Sequence, residues 1–267
     1  MISICTVILD RLQSFLDINI ESICEQLEHV KEVIICNVEQ DSSYNREEII
    51  KGKTFKYFGG KQNLFQVSGA NSICEQHALG LHMAIERATH EFIWLSDPDI
   101  FFYNAVDKIF LDLIGQYKLN CIGISHQNAM NEAYGFFPTV ANLMVRKKDL
   151  PDNTYLKKEL TLNFETPNKY LFPGRANIED EFYYNPKGHF ETGCNLLPWA
   201  IKQNWRWLSF QTLDCSNYST LPYRNQPRSN IKLPKQKLLH HSGLSAGPHN
   251  KIVPFLNAYK NFKKDEL

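Results

Sequence analysis

The feature that most constrains this chain is the alternation, through its first half, of near-continuous apolar runs with stretches of helical periodicity. Residues 2–9 (ISICTVIL) are apolar almost without a break, the pattern of a parallel strand covered on both faces. Leu16, Ile20, Ile23 and Leu27 then recur at spacings of four, three and four, which is one face of a helix. A second strand is expected over 33–38 and a third over 54–58, before the Gly59-Gly60 break. Ser72 and Glu75 form an S-x-x-E capping box. Behind it Cys74, Ala78, Leu81, Ile85 and Ala88 keep helical register, and the helix leads into a strand over 91–96 that stops at Asp97-Pro98-Asp99. A further helix over 105–117 runs through Val106, Ile109, Phe110, Leu113 and Ile114, with short strands after it over 121–125 and 140–145.

This order predicts an α/β fold, a Rossmann-like, mostly parallel sheet flanked by helices. From about Pro151 the pattern loosens, and Pro222, Pro227, Pro234, Pro248 and Pro254 punctuate the last quarter of the chain. The expected organisation is one domain over 1–215 and an irregular, Pro-rich extension over 216–267 that packs over it. A chain of 267 residues is long enough to bury a full core.

Composition removes several function classes. At 43% hydrophobic and 22% charged residues the chain is outside the disordered range. Its 29 basic and 29 acidic residues cancel, which gives no global reason for a nucleic-acid or anionic-membrane partner. The seven cysteines (Cys5, Cys24, Cys36, Cys74, Cys121, Cys194, Cys215) are odd in number and contain no C-x-x-C pair. Several sit in apolar runs, so they read as reduced, core-packed thiols. No run approaches the ~18 apolar residues of a spanning helix, and Asp10 and Arg11 interrupt the segment where a signal peptide would stay apolar. A cytoplasmic protein with no integral membrane segment is expected. Residues 264–267 spell an ER-retention address, taken as a chance match because nothing else in the sequence routes the chain there.

Asp97-Pro98-Asp99 is the sharpest chemical feature. Two carboxylates at the C-terminal end of a buried strand lie where open α/β sheets bind ligands. Hard oxygen donors suit Mg²⁺ or Mn²⁺ with phosphate oxygens completing the shell. A plain strand-ending turn would use the same residue types. The surrounding block EQHALGLHMAIERATHEFIWLSDPDIFF resembles the central segment of glycosyltransferase family two and its relatives with the A-type (GT-A) fold. There a helix precedes a strand ending in a D-x-D motif. More weakly, the resemblance spans residues 1–215.

That resemblance implies a metal-dependent enzyme moving a sugar from a nucleotide-diphosphate donor, UDP-linked in the commonest case, to a hydroxyl on a glycan or other acceptor. Asp97 and Asp99 would hold Mn²⁺ or Mg²⁺, with Asp97 also near the nucleotide. Thr6, Asp10, Arg11 and Glu39 would contact the nucleotide, with Asp41 as a second choice to Glu39. Asn177-Ile178-Glu179-Asp180-Glu181 is similar to the family's E-D motif and implies Asp180 as the base of an inverting transfer, with Glu179 holding the acceptor. Acidic residues after an Asn N-cap would also serve simply to complement a helix dipole. His240-His241-Ser242-Gly243 resembles the late loop that completes the metal shell; His241 is taken as the ligand, although the residues alone do not choose between the two imidazoles.

Other matches are weaker. Gln203-Asn204-Trp205-Arg206-Trp207 fits the Q-x-x-R-W motif of processive synthases, but a strand over 205–210 that buries Trp205, Trp207 and Leu208 explains it as well. Glu191-Thr192-Gly193 ahead of a helical run over 194–202 would form an acceptor-side wall, and a plain helix start explains it as well. Arg224, Arg228, Lys232, Lys235 and Lys237 could draw in a diphosphate or a nucleic-acid acceptor, yet a solvated basic loop accounts for them better. A catalytically idle nucleotide-sugar or glycan-binding module on the same fold is the alternative to an enzyme. A nucleotidyltransferase would need a Gly-rich phosphate loop after the first strand, and residues 8–12 contain no glycine.

Overall fold

The computed structural model describes residues 1–61, 73–125, 138, 141–150, 196, 200, 203–214, 217–220, 238–241 and 252–265. The chain opens with β1 (Ile2–Ile8), in which every residue is buried, as its near-continuous apolar run requires. A short 3-10 turn at Asp10–Leu12 leads into α1 (Gln13–Gln26), followed by β2 (Val30–Asn37), β3 (Asn45–Ile50), β4 (Lys53–Gly59), α2 (Ile73–Arg87) and β5 (Phe92–Ser96). Next come β6 (Ile100–Phe102), α3 (Val106–Tyr117), β7 (Cys121–Ser125), β8 (Asn142–Arg146), β9 (Trp207–Asp214), β10 (Asn217–Thr220), β11 (Leu239–His241) and α4 (Ile252–Asp265).

Among the described residues nine strands form one sheet in the order β10-β9-β7-β8-β5-β1-β2-β4-β3, and β11 pairs with β6 in a separate two-stranded ribbon. Strands β1, β2, β4, β5, β7 and β9 share one direction, while β3, β8 and β10 run against it. The chain thus forms the mostly parallel, helix-flanked α/β sheet expected of it. Two of the three antiparallel strands shape the sheet around the site and its edge. β8 returns antiparallel between β5 and β7. β3 is a largely exposed edge strand, NREEII, whose polar sequence hides it from a periodicity test. It joins β4 through Lys51 and Gly52, both at positive φ (47° and 77°), the left-handed geometry that two-residue hairpins demand.

Alternation along the strands divides the core. On one face Cys5, Val7, Ile34 and Cys36 pack with Leu81, Ala84 and Ile85 of α2. On the other Ile2, Ile4, Ile8, Val33 and Ile35 pack with Leu16 and Ile23 of α1 and with Val106, Phe110 and Ile114 of α3. Gly80 is what lets α2 sit this low. A Cβ there would lie 2.7 and 2.9 Å from the methyls of Val7 and 3.1 Å from Val38 Cγ1. Cys5, Cys36 and Cys121 are buried free thiols, and burial pushes the Cys36 thiol up to about 12.

Within 216–267 the described segments are β10, β11 and α4. In α4, Pro254 falls in the first turn, where its missing N–H has no intrahelical partner to lose. Phe255 and Tyr259 of this helix are buried. Trp205, Trp207 and Leu208 are buried at the start of β9, the packing expected from the sequence. Among the described residues no helix is long and apolar enough to cross a membrane.

Candidate metal centre and donor crevice

The sheet order creates the site. From β1 the chain moves outward through β2 to β4, then returns across α2 to place β5 on the opposite flank of β1. The direction of winding therefore reverses between β1 and β5, and the crevice beyond their C-terminal ends is where open α/β sheets bind ligands. Asp97-Pro98-Asp99 follows directly on β5 at this point, and Asp10 follows β1.

The Asp97-Pro98-Asp99 turn is pinned at its start, where the Asp97 N–H donates to the Ala141 carbonyl at 3.0 Å. Immediately after it, β6 pairs antiparallel with β11, setting His241 opposite Ile100 and His240 opposite Phe101. Neighbouring residues on a strand point to opposite faces, so the two histidines part company. His240 stacks on the Phe101 ring at 4.9 Å and 17°. His241 turns to the carboxylates, with Nε2 3.2 Å from Asp99 Oδ1 and 3.5 Å from Asp97 Oδ2. Ligand atoms of Asp97, Asp99 and His241 all lie within 4.8 Å of one another.

All three side chains are buried, Asp99 completely. Two carboxylates this close, out of water, need a cation between them. In the metal-free arrangement that cation is His241 itself. Burial opposes its charge, but Asp99 and then Asp97 outweigh burial and push its pKa up to about 10. Two hard oxygens and one imidazole nitrogen form a donor set suited to Mn²⁺ or Mg²⁺. The residues present therefore fit a divalent ion.

A further imidazole completes the cluster, one that sequence reasoning missed. His77, on α2, places Nε2 3.5 Å from Asp97 Oδ1. Burial holds its pKa below the ordinary histidine value, against the pull of Asp97 and Asp99. The available signal was its place in α2, one turn before Gly80, the residue that lets the helix approach β1 and β2.

Of the nucleotide-contact candidates, Asp10, Arg11 and Glu39 follow the C-terminal ends of β1 and β2. The Asp10 carboxylate accepts from Asn37 Nδ2 at 2.7 Å and from Gln40 Nε2 at 2.8 Å. These bonds from Gln40 and Asn37 hold its pKa below the usual carboxylate value. Glu39 Oε2 accepts the Asp10 N–H at 2.6 Å, which ties the loop after β2 to the end of β1. Arg11 is exposed. Thr6 is fully buried within β1, its hydroxyl without a hydrogen-bond partner among the described residues. Asp41 caps its own turn by accepting from the Ser43 N–H and hydroxyl, and a Gly59 Cβ would strike its carbonyl oxygen at 1.7 Å. Glu179 and Asp180, the capping-box Ser72, the 191–193 segment and the basic cluster at 224–237 lie outside the described residues.

No known protein-family profile matches the chain, and no curated protein matches it. Solved structures do. TarS of S. aureus, residues 1–349, in complex with UDP-GlcNAc is 15% identical with a TM-score of 0.40, over 64% of this chain and 53% of that one. The galactosyltransferase LgtC, in complex with donor and acceptor sugar analogues, is 10% identical with a TM-score of 0.40, over 60% and 63%. The mannosyltransferase PcManGT from Pyrobaculum calidifontis, in complex with GDP-Man and Mn²⁺, is 10% identical with a TM-score of 0.38, over 56% and 45%. The chain thus spans less than two thirds of the length of each of these three solved structures. Likeness at this level fixes neither substrate nor mechanism, which the side chains of the site must carry.

Proposed function

We propose that the chain is a metal-dependent glycosyltransferase of GT-A type, moving a sugar from a nucleotide-diphosphate donor, UDP-linked in the first instance, to a hydroxyl acceptor with inversion. The observation behind it is the buried Asp97–Asp99–His241 cluster at the point where the winding of the sheet reverses. An anionic pocket at the mouth of an α/β crevice has one obvious use for a divalent ion, which is to bind a polyanionic ligand there.

In this proposal Asp97, Asp99 and the Nε2 of a deprotonated His241 hold the ion. When bound, Mn²⁺ or Mg²⁺ supplies Lewis-acid neutralisation of the diphosphate leaving group. Asp10, Arg11 and Glu39 offer polar groups to the nucleotide from the rim, with Thr6 in the strand wall beneath. Asp180 removes the acceptor proton and Glu179 orients the acceptor, which is a glycan or another hydroxyl compound.

Calorimetric titration with UDP, GDP, TDP and CDP, with and without Mn²⁺, tests the reading. The expected result is metal-dependent binding of one nucleotide. Failure of all four with folded protein would overturn it and move the assignment to a glycan-binding module.

A further inference from the structure

The third metal ligand is carried by a very small element. β6 and β11 have three residues each and, among the described residues, make no pairing with the nine-stranded sheet. A two-stranded ribbon of this length does not hold its own geometry in water, yet the site needs His241 Nε2 fixed to within a fraction of an ångström of Asp97 and Asp99. Something else must hold the ribbon.

Packing on its two faces shows what does. Ile100, Phe102 and Leu239 point into the core lined by Val106 and Phe110, which seats one face on the body of the fold. The opposite face presents Phe101 and His240, and it is covered by α4. The fully buried Phe101 ring meets Phe255 at 5.4 Å, Tyr259 at 5.2 Å and Phe262 at 5.9 Å. His240, stacked on the same ring, lies 5.8 Å from Phe255. The helix is itself anchored to α1 through Phe15 against Phe255 at 5.1 Å and through Lys263 bonded to Glu25. The rings of α4 thus bear on the back of the ribbon, and the metal-site side chain stands on its front.

We infer that α4 is the positioning element of the metal centre: its docking through Phe255, Tyr259 and Phe262 onto Phe101 and His240 sets His241, so that divalent-ion affinity and the order of the C-terminal helix are coupled. His240 acts in this as a positioning residue and not as a ligand. Coupling of this kind is reciprocal. Docking of the helix strengthens ion binding, and ion binding protects the helix. The inference rests on the metal-site reading above and extends it to the C-terminal helix.

The test uses the full chain and Mn²⁺ alone. Wild type and His241→Ala come first: no Mn²⁺ binding by wild type, or equal binding by both, overturns the metal-site reading and the coupling with it. Where wild type binds and His241→Ala is impaired, Phe255→Ala and His240→Ala are expected to weaken Mn²⁺ by about 10–100-fold, the usual effect of losing support behind a ligand. His240→Phe, which keeps the stacked ring, should retain wild-type affinity. Hydrogen exchange supplies a readout that needs no helix variant. Mn²⁺ should slow exchange across 252–265 in wild type and leave it unchanged in His241→Ala. Phe255→Ala that melts earlier yet binds Mn²⁺ like wild type would overturn the inference, as would exchange across 252–265 that is indifferent to Mn²⁺. Should Phe255→Ala not fold, the exchange experiment decides by itself.

Discussion

On the proposed metal-site reading, an ion held by His241 displaces a proton, and the displacement can be counted. His241 ordinarily would titrate near 6.5, but beside Asp99 and Asp97 it is pushed up to about 10. At pH 7 only about one molecule in a thousand carries the neutral imidazole that a metal requires. The neighbouring His77 is a poor acceptor for that proton, because burial lowers its pKa. Binding of Mn²⁺ should therefore release about one proton per ion to the solvent, and apparent affinity should climb about tenfold per pH unit from 7 towards 9. Calorimetry in two buffers of different ionisation enthalpy measures the released proton directly. His241→Ala should bind more weakly at pH 9 and lose the release. The sign for stability is the opposite. A pKa raised on folding stabilises the metal-free protein fully below about 6.5, and that contribution is lost as pH rises towards 10. In chelator, wild type should then melt at progressively lower temperature over that window, more steeply than His241→Ala. Buffer-independent heats together with a flat affinity from pH 7 to 9 would refute the reasoning, since His241 would then be neutral among two buried carboxylates.

Three further outcomes are expected. Asp99→Ala should abolish Mn²⁺-dependent nucleotide binding in the same calorimeter; unchanged affinity would remove Asp99 from the metal shell. Asp180→Asn should bind donor normally and lose transfer by ~10²–10⁴-fold in a turnover assay, the range for a general base. Gly80→Ala should lower stability on chemical denaturation. Its new methyl would meet Val7 at 2.7 Å, and an overpacking cost of about 1–3 kcal/mol exceeds the gain of about 1 kcal/mol from helix propensity.

Elements with one period and one environment were legible in the sequence. The apolar run at 2–9 became β1 because both faces of a central parallel strand are covered, and no polar residue is needed to mark a side. The 121–125 strand and the 105–117 helix agree with the structure to within one residue for the same reason. The elements that stayed hidden were those whose identity depends on a distant partner. β3 is polar because it is an edge, and only its pairing to β4 through the Lys51-Gly52 turn makes it a strand. β6 and β11 are too short to carry a period, and each is a strand only because the other is there. α4 does carry a signal, with Phe255, Tyr259 and Phe262 at spacings of four and three. The surrounding prolines obscured it, although Pro254 sits where a helix tolerates one.

The site shows the same division. Asp97 and Asp99 could be picked out because a local pattern, a buried strand running into a D-x-D turn, both places and explains them. His77 could not, since a histidine on an apolar helix face looks like any other until the helix is docked and its imidazole is found against Asp97. The choice between His240 and His241 shows why. The two are adjacent, chemically identical and close to the same glycine, so no property of either residue separates them. Pairing of β11 with β6 separates them by parity alone. The residue opposite Ile100 faces the carboxylates, and the one opposite Phe101 faces the rings of α4. Moving the register by one residue would exchange their places, setting His240 against the carboxylates and His241 against the rings. Which imidazole meets the carboxylates is therefore specified less by the His-His dipeptide than by whatever locks the ribbon's register, and that is the apolar and aromatic packing on its two faces.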